Sequence, residues 1–166
     1  MNGITPAMSE EEMVEVMNKF QTDLTARQQK EFMEQSARNR EQASLFLTAN
    51  AGKQGVTTLP DSLQYEVITD GTGAVPKLSD TVKVHYRGSL LDGTVFDSSK
   101  PDNPVELSVT GGVIKGWTEA LQLMKTGSKW KIYIPPELGY GERGYPPNIP
   151  PNALLIFEIE LMEIVK

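Results

Sequence analysis

The chain has no cysteine and a single histidine, His85, in 166 residues. These two shortages remove whole classes of chemistry. Thiol nucleophiles, disulfide exchange and Cys/His zinc sites have no residues to work with, and no metal is expected. A Ser–His–Asp triad would have to recruit His85, which lies between Val84 and Tyr86 in a strand-like run. A structural histidine is the plainer reading there. No run of about 18 apolar residues exists, so no transmembrane segment is expected. Basic blocks are missing too: 16 Lys and Arg are scattered among 22 Asp and Glu, for a net charge of -6. Nucleic acid or an anionic membrane would be repelled, and neither is expected as a partner. Residues 1–6 have neither the basic start nor the apolar stretch of a signal peptide. The lack of cysteine suits a periplasmic or secreted protein, and a cytosolic one equally.

What is present divides into two compositions. Residues 9–50 read as one helix. Ser9 followed by Glu12 fits a capping box, and Glu10 and Glu11 put negative charge where the helix dipole favours it. No proline or glycine interrupts before Gly52 and Gly55, a plausible C-terminal stop. Such a helix would extend about 60 Å. Met13, Met17, Phe20 and Leu24 form one apolar stripe at its start. Residues 25–42 keep only Phe32 and Met33 as large apolar groups, so the middle cannot be buried in a core. Ala43, Phe46 and Leu47 restore a short apolar face. The reading is a spacer with a partner-binding stripe, since a merely solvated spacer has no need of four large apolar side chains on one side.

After a linker or first edge strand at 51–61, the grammar changes to strands and turns. Strands are expected at 63–69, 81–90, 94–97, 105–109, 128–134 and 153–164. In the last, Leu155, Phe157, Ile159 and Leu161 alternate with outward Glu158 and Glu160. Asp92-Gly93 marks a hairpin turn. Residues 117–124 form the one short helix of this half, with Gly127 as its stop. The expected fold is α+β: an antiparallel sheet wrapped around a short helix and preceded by a long one. The expected division is a helical arm at 1–57 and a β-rich domain at 58–166.

Eight of the eleven prolines lie between 100 and 151, and Gly139, Gly141 and Gly144 join them in a stretch of about 19 residues without expected regular structure. With Tyr140 and Tyr145 interleaved, this reads as a stiffened lid over an apolar pocket. Gly71-Thr72-Gly73 and Gly111-Gly112 are turn glycines, too short and wrongly placed to cradle phosphates. Asp97 is the only acid set among pocket-like residues. A pocket without nucleophile, metal site or phosphate cradle leaves reactions that need none of these. Rotation about an X–Pro amide is one.

Several motifs carry a specific resemblance. They are Val84-His85-Tyr86-Arg87-Gly88, then Asp92-Gly93-Thr94-Val95-Phe96-Asp97-Ser98-Ser99, and Val113-Ile114-Lys115-Gly116-Trp117. Ile134-Pro135, Leu138-Gly139-Tyr140-Gly141 and Ile149-Pro150-Pro151-Asn152-Ala153 follow in order. Over about residues 62–166 the chain resembles the FKBP family of peptidyl-prolyl cis–trans isomerases. Ser9 to Met13, Lys19-Phe20-Gln21, the polar helix, and Leu59-Pro60-Asp61-Ser62-Leu63-Gln64-Tyr65 are similar to the macrophage-infectivity-potentiator (Mip) group, here beginning inside its N-terminal module without the first helix.

The resemblance implies an FKBP-like fold and isomerase activity without cofactor or covalent intermediate. It implies Asp97, Tyr140 and Ile114 as catalytic residues, the Ile114 N–H and the Tyr140 hydroxyl holding a substrate carbonyl. Tyr86, Phe96, Val105, Val113, Trp117, Tyr145, Ile149 and Phe157 are implied as substrate-binding. Departures lie at Val105, where many members have an aromatic, at Tyr145 and Asn148 on the lid tip, and after Ser99, where Lys100 is the nearest cation in place of an arginine. The implied partners are proline-containing peptides, unfolded proteins and macrolide inhibitors, with a weak homodimer or none. The implied location is periplasmic, outer-membrane-associated or secreted, with a cytoplasmic one also open. The rival reading is a proline-segment binding module or chaperone with little turnover. A structural adaptor would leave the pocket residues unexplained.

Overall fold

A computed structural model describes residues 9–111 and 113–165; residues 1–6 and Gly112 of the turn pair lie outside the described residues. Helix α1 spans Glu10–Ala51. Its start is the expected capping box: Ser9 Oγ accepts the Glu12 N–H at 3.2 Å and Glu12 Oε2 accepts the Ser9 N–H at 3.4 Å. The chain forms two compact units, one ending at Gln35 and one beginning at Ser36. In the first, Met13, Met17 and Phe20 are exposed and Leu24 half-exposed. The apolar stripe therefore lies uncovered.

The second unit is built on seven antiparallel strands: β1 Val56–Thr58, β2 Gln64–Thr69, β3 Thr81–Ser89, β4 Val95–Ser98, β5 Val105–Ser108, β6 Lys129–Ile134 and β7 Leu155–Val165. Their order is β1-β2-β6-β7-β3-β4, and β5 also pairs with β3. Thus β4 takes residues 87–89 of β3 and β5 takes residues 81–84 of the same edge. In β7, Leu155, Phe157, Ile159 and Leu161 are buried, as their alternation requires. The sheet closes its core over α2, Lys115–Leu121, whose Trp117, Ala120 and Leu121 pack with Ile132, Ile134 and Ile159.

The short helix begins two residues before the expected 117 and ends three before 124. Ile114, extended at φ -70 and ψ 157, is its N-cap. Gly116, a poor helix former, sits in its first turn for a packing reason. A Cβ there would fall 2.9 Å from an Ile134 methyl, so only glycine lets the helix lie this close to the sheet. The long loop is not wholly irregular: short 3-10 turns form at Pro136–Leu138 and Gly141–Arg143.

The last turns of α1 belong to this second unit. Ala43 is buried, and the Phe46 ring lies 5.5 Å from that of Tyr133. Buried Asn50 donates to Gln64 Oε1 at 2.8 Å, and Gln64 Nε2 donates to the Leu47 carbonyl at 2.7 Å. His85 is also structural in its contacts: its Nδ1 lies 3.1 Å from Ser99 Oγ.

Candidate active site

Residues far apart in the chain converge because the strands that carry them are neighbours. Tyr86 comes from β3, Phe96 and Asp97 from β4, Leu107 from β5 and Phe157 from β7. Val113 and Ile114 precede α2, Trp117 lies within it, and Tyr140 separates the two 3-10 turns. Together they line a cavity of about 120 Å³. Four rings form its walls and floor in edge-to-face contact. Phe157 meets Trp117 at 5.1 Å and 88° and Phe96 at 5.4 Å and 89°, while Tyr86 meets Trp117 at 5.2 Å and 80°. These are the separations and angles that aromatic quadrupoles favour, so the cavity is formed by its own packing.

Gly88 makes the arrangement possible. It pairs with Phe157 on one side and Asp97 on the other. A Cβ at this position would lie 2.6 Å from the Phe157 ring and 2.7 Å from that of Phe96. Its role was not legible from the chain, where it reads as a glycine inside a strand pattern.

The polar groups stand at the rim. The Tyr86 hydroxyl donates to Asp97 Oδ2 at 2.8 Å. Burial, then the hydrogen bond to the Asp97 carboxylate and its charge, pushes the Tyr86 phenol up to about 12. It remains a donor throughout the physiological range. Tyr140, about one-third exposed, also has its phenol raised, first by burial and then by Tyr145 and Asp97. A dry aromatic floor with a carboxylate and a phenol at its edge can desolvate an apolar ring and orient a polar amide. Among the described residues, no serine, threonine, cysteine or lysine side chain lines the cavity.

Of the eleven residues expected at the site, eight are brought together here, and Leu107 joins them. Val105 stands one pleat away on the same face of β5, half-buried and outside the lining. Ile149 is in the core, and Tyr145 is exposed, its ring 5.5 Å from that of Tyr140. Leu107 was missed because both apolar residues of β5 share one face, and their spacing does not say which reaches the cavity. A larger cleft of about 490 Å³ lies between residues 40–48 of α1 and Thr58, Gln64 and Pro135. No aromatic ring lines it.

A carboxyl pair links α2 to the turn before β2. Burial, followed by the hydrogen bond and charge of Asp61, pushes Glu119 on α2 up from an ordinary 4.5 to about 7. The folded chain therefore holds this proton more tightly than the unfolded chain. The resulting stabilisation is full below the unfolded value and is lost as pH rises through about 7. Glu119 is half-buried and its partner Asp61 is exposed, so solvent screening should keep the effect modest. Thermal unfolding across about pH 5 to 9, about two units either side of the midpoint, should show a falling Tm for the parent. Glu119→Gln should flatten that slope and melt higher than the parent at the alkaline end. An unchanged slope would show that the pair does not share a proton.

Comparison with known proteins gives the family and the fold. Residues 73–162 match the FKBP-type peptidyl-prolyl cis-trans isomerase family, and residues 1–67 match the domain amino terminal to it. The chain is 47% identical over 167 residues to the outer membrane protein MIP of Legionella longbeachae, covering 100% of this chain and 71% of that protein. It is 50% identical over 129 residues to the peptidyl-prolyl cis-trans isomerase Mip of Coxiella burnetii, covering 77% of this chain and 56% of that one. The crystal structure of FkpA from Escherichia coli superposes with a TM-score of 0.88 at 38% identity, covering 95% of this chain and 74% of the other. The chain thus spans from just over half to about seven-tenths of the length of these curated relatives.

Proposed function

This chain belongs to the FKBP-type peptidyl-prolyl cis–trans isomerases, and from that premise we propose how its aromatic cavity turns an X–Pro amide. The enzymes of this family act on proline-containing peptides and proteins. Amide resonance sets a rotational barrier of about 18–20 kcal/mol and gives the planar amide a large dipole. Twisting the bond breaks the resonance and shrinks that dipole. A cavity that excludes water penalises the polar planar state more than the twisted one, so it lowers the barrier without a chemical intermediate or cofactor.

In this reading Trp117 floors the site of the proline ring, and Tyr86, Phe96, Phe157, Leu107 and Val113 are its walls. The Ile114 N–H and the Tyr140 hydroxyl hold a carbonyl of the substrate. Asp97, steadied by Tyr86, orients or polarises the rotating amide. Tyr145 extends the rim beside Tyr140, while Val105 and Ile149 back the lining. The observation that carries the proposal is the set of edge-to-face rings around a cavity whose only ionised group, Asp97, sits at the rim. Macrolide inhibitors would enter the same cavity.

The working division is an arm at 1–57 and a catalytic domain at 58–166. The exposed stripe of Met13, Met17 and Phe20 would hold unfolded clients or pair weakly with a second arm, since few side chains bury little area. Nucleic acid is not a partner on grounds of charge. No helix among the described residues is long and apolar enough to cross a membrane. A periplasmic, outer-membrane-associated or secreted place is proposed from the relatives.

Cis-to-trans conversion of short peptides tests the activity. The chain should accelerate Leu-Pro and Phe-Pro peptides, and Glu-Pro peptides less because Asp97 repels the acid. Relaxation no faster than the uncatalysed tens to hundreds of seconds would instead support a proline-binding module with little turnover.

A further inference from the structure

We propose that helix α1 takes part in catalysis through Ser36 and Asn39, which hold in place the lid carrying Tyr140. The inference rests on the role given to Tyr140 above. The lid leaves the sheet after β6 and returns to it at β7, and its return end is tied to the helix at two points. Asn152 Nδ2 donates to Ser36 Oγ at 2.6 Å and approaches the Ser36 carbonyl at 3.4 Å. Asn39 Nδ2 donates to the Pro151 carbonyl at 2.8 Å. Proline has no N–H, so that carbonyl is the one backbone hydrogen-bonding group Pro151 offers.

The link continues to the pocket through Asn152. This residue is buried, at 4% exposure, and adopts a left-handed φ of 51° that asparagine tolerates better than most residues. Its backbone N–H donates to the Gly141 carbonyl at 2.8 Å. Gly141 follows Tyr140 directly. A contiguous path therefore runs from Ser36 to Asn152, to Gly141, to the phenol at the rim.

Docking of the helix does not itself require these bonds. Its end is fastened separately by Asn50, Gln64 and the Leu47 carbonyl, and by Phe46 against Tyr133. The Arg40–Glu137 pair at the start of the lid is exposed and long, at 3.9 Å, and adds little. What Ser36 and Asn39 add is the position of the lid. They are positioning residues, since neither touches the cavity.

The test uses the full chain labelled with fluorotyrosine, in three forms: parent, Ser36→Ala/Asn39→Ala, and Ser36→Thr. Two readouts are taken, peptide isomerisation and the fluorine spectrum, with Tyr140 assigned by Tyr140→Phe. The double variant should lose roughly three- to thirtyfold in kcat/KM, mostly through KM. Its Tyr140 resonance should shift while that of Tyr65 stays. Ser36→Thr, which keeps the hydroxyl, should retain most of the activity. A double variant within about twofold of the parent overturns the proposal. So does a loss of activity with the Tyr140 resonance unmoved, because general destabilisation would then explain it. If the parent itself does not isomerise peptides, the reading of the pocket fails, and the Tyr140 resonance alone decides whether the helix positions the lid.

Discussion

Replacing Asp97 by leucine should slow the turnover of X–Pro tetrapeptides by about ten- to a hundredfold while the sheet stays folded. The size is that of one charge-assisted hydrogen bond, taken as the proposed contact of the carboxylate with the rotating amide. Bonds to ionised groups are worth about 1.5–3 kcal/mol, and each 1.36 kcal/mol is tenfold in rate. Asp97 is exposed at the rim, so its loss leaves no buried group unpaired and should cost little stability. The variant also frees the Tyr86 hydroxyl that Asp97 now accepts at 2.8 Å. A companion Tyr86→Phe variant and the double variant complete a cycle that separates the carboxylate's own contribution from its partnership with Tyr86. If Asp97→Leu isomerises peptides like the parent, the carboxylate has no part in turning the amide.

Gly88→Ala should have the larger effect on the fold and a comparable one on activity. The added methyl would stand 2.6 Å from the Phe157 ring and 2.7 Å from Phe96, both held edge to face. Those rings cannot yield without closing the cavity or leaving their packing. Overfilling a packed core in this way costs about 1–3 kcal/mol. The parent and variant should differ in Tm by several degrees, and kcat/KM should fall at least about tenfold. Circular dichroism and the peptide assay measure the two effects side by side. Unchanged values for both would mean that the rings move freely and that the walls are not fixed by the strand beneath them.

The parts of the fold legible from sequence are those with a regular period. Leu155, Phe157, Ile159 and Leu161 announce β7, and the capping pair Ser9 and Glu12 sets the start of α1 within a residue. Where a residue's place depends on a neighbour distant in the chain, the signal fails. Gly116 looks like a helix breaker until Ile134 is seen against it. Leu107 and Val105 share a face, and only the path of β5 along β3 separates them. The rim aromatics behave similarly: Tyr140 faces the cavity, Tyr145 turns to solvent and Ile149 turns to the core, although all three lie on one loop. Resemblance supplied the set of pocket residues. The hydrogen bonds that join Ser36 and Asn39 to the loop, accepted by Ser36 and donated by Asn39, span more than 110 residues of chain and leave no local trace.

If the chain acts on unfolded clients, as proposed above, its strand order bears on how it survives them. An unfolded chain is rich in segments ready to extend any sheet that offers a long free margin, and a catalyst that meets such chains repeatedly risks seeding aggregates. Here one margin is β1, three residues long, together with the last three residues of β2, where the register is broken between Val67 and Thr69. The opposite margin of β3 is divided between β4 and β5, four residues each. Neither side presents a straight run on which a client strand could be templated. A sheet with such borders gives an unfolded chain no long margin to extend.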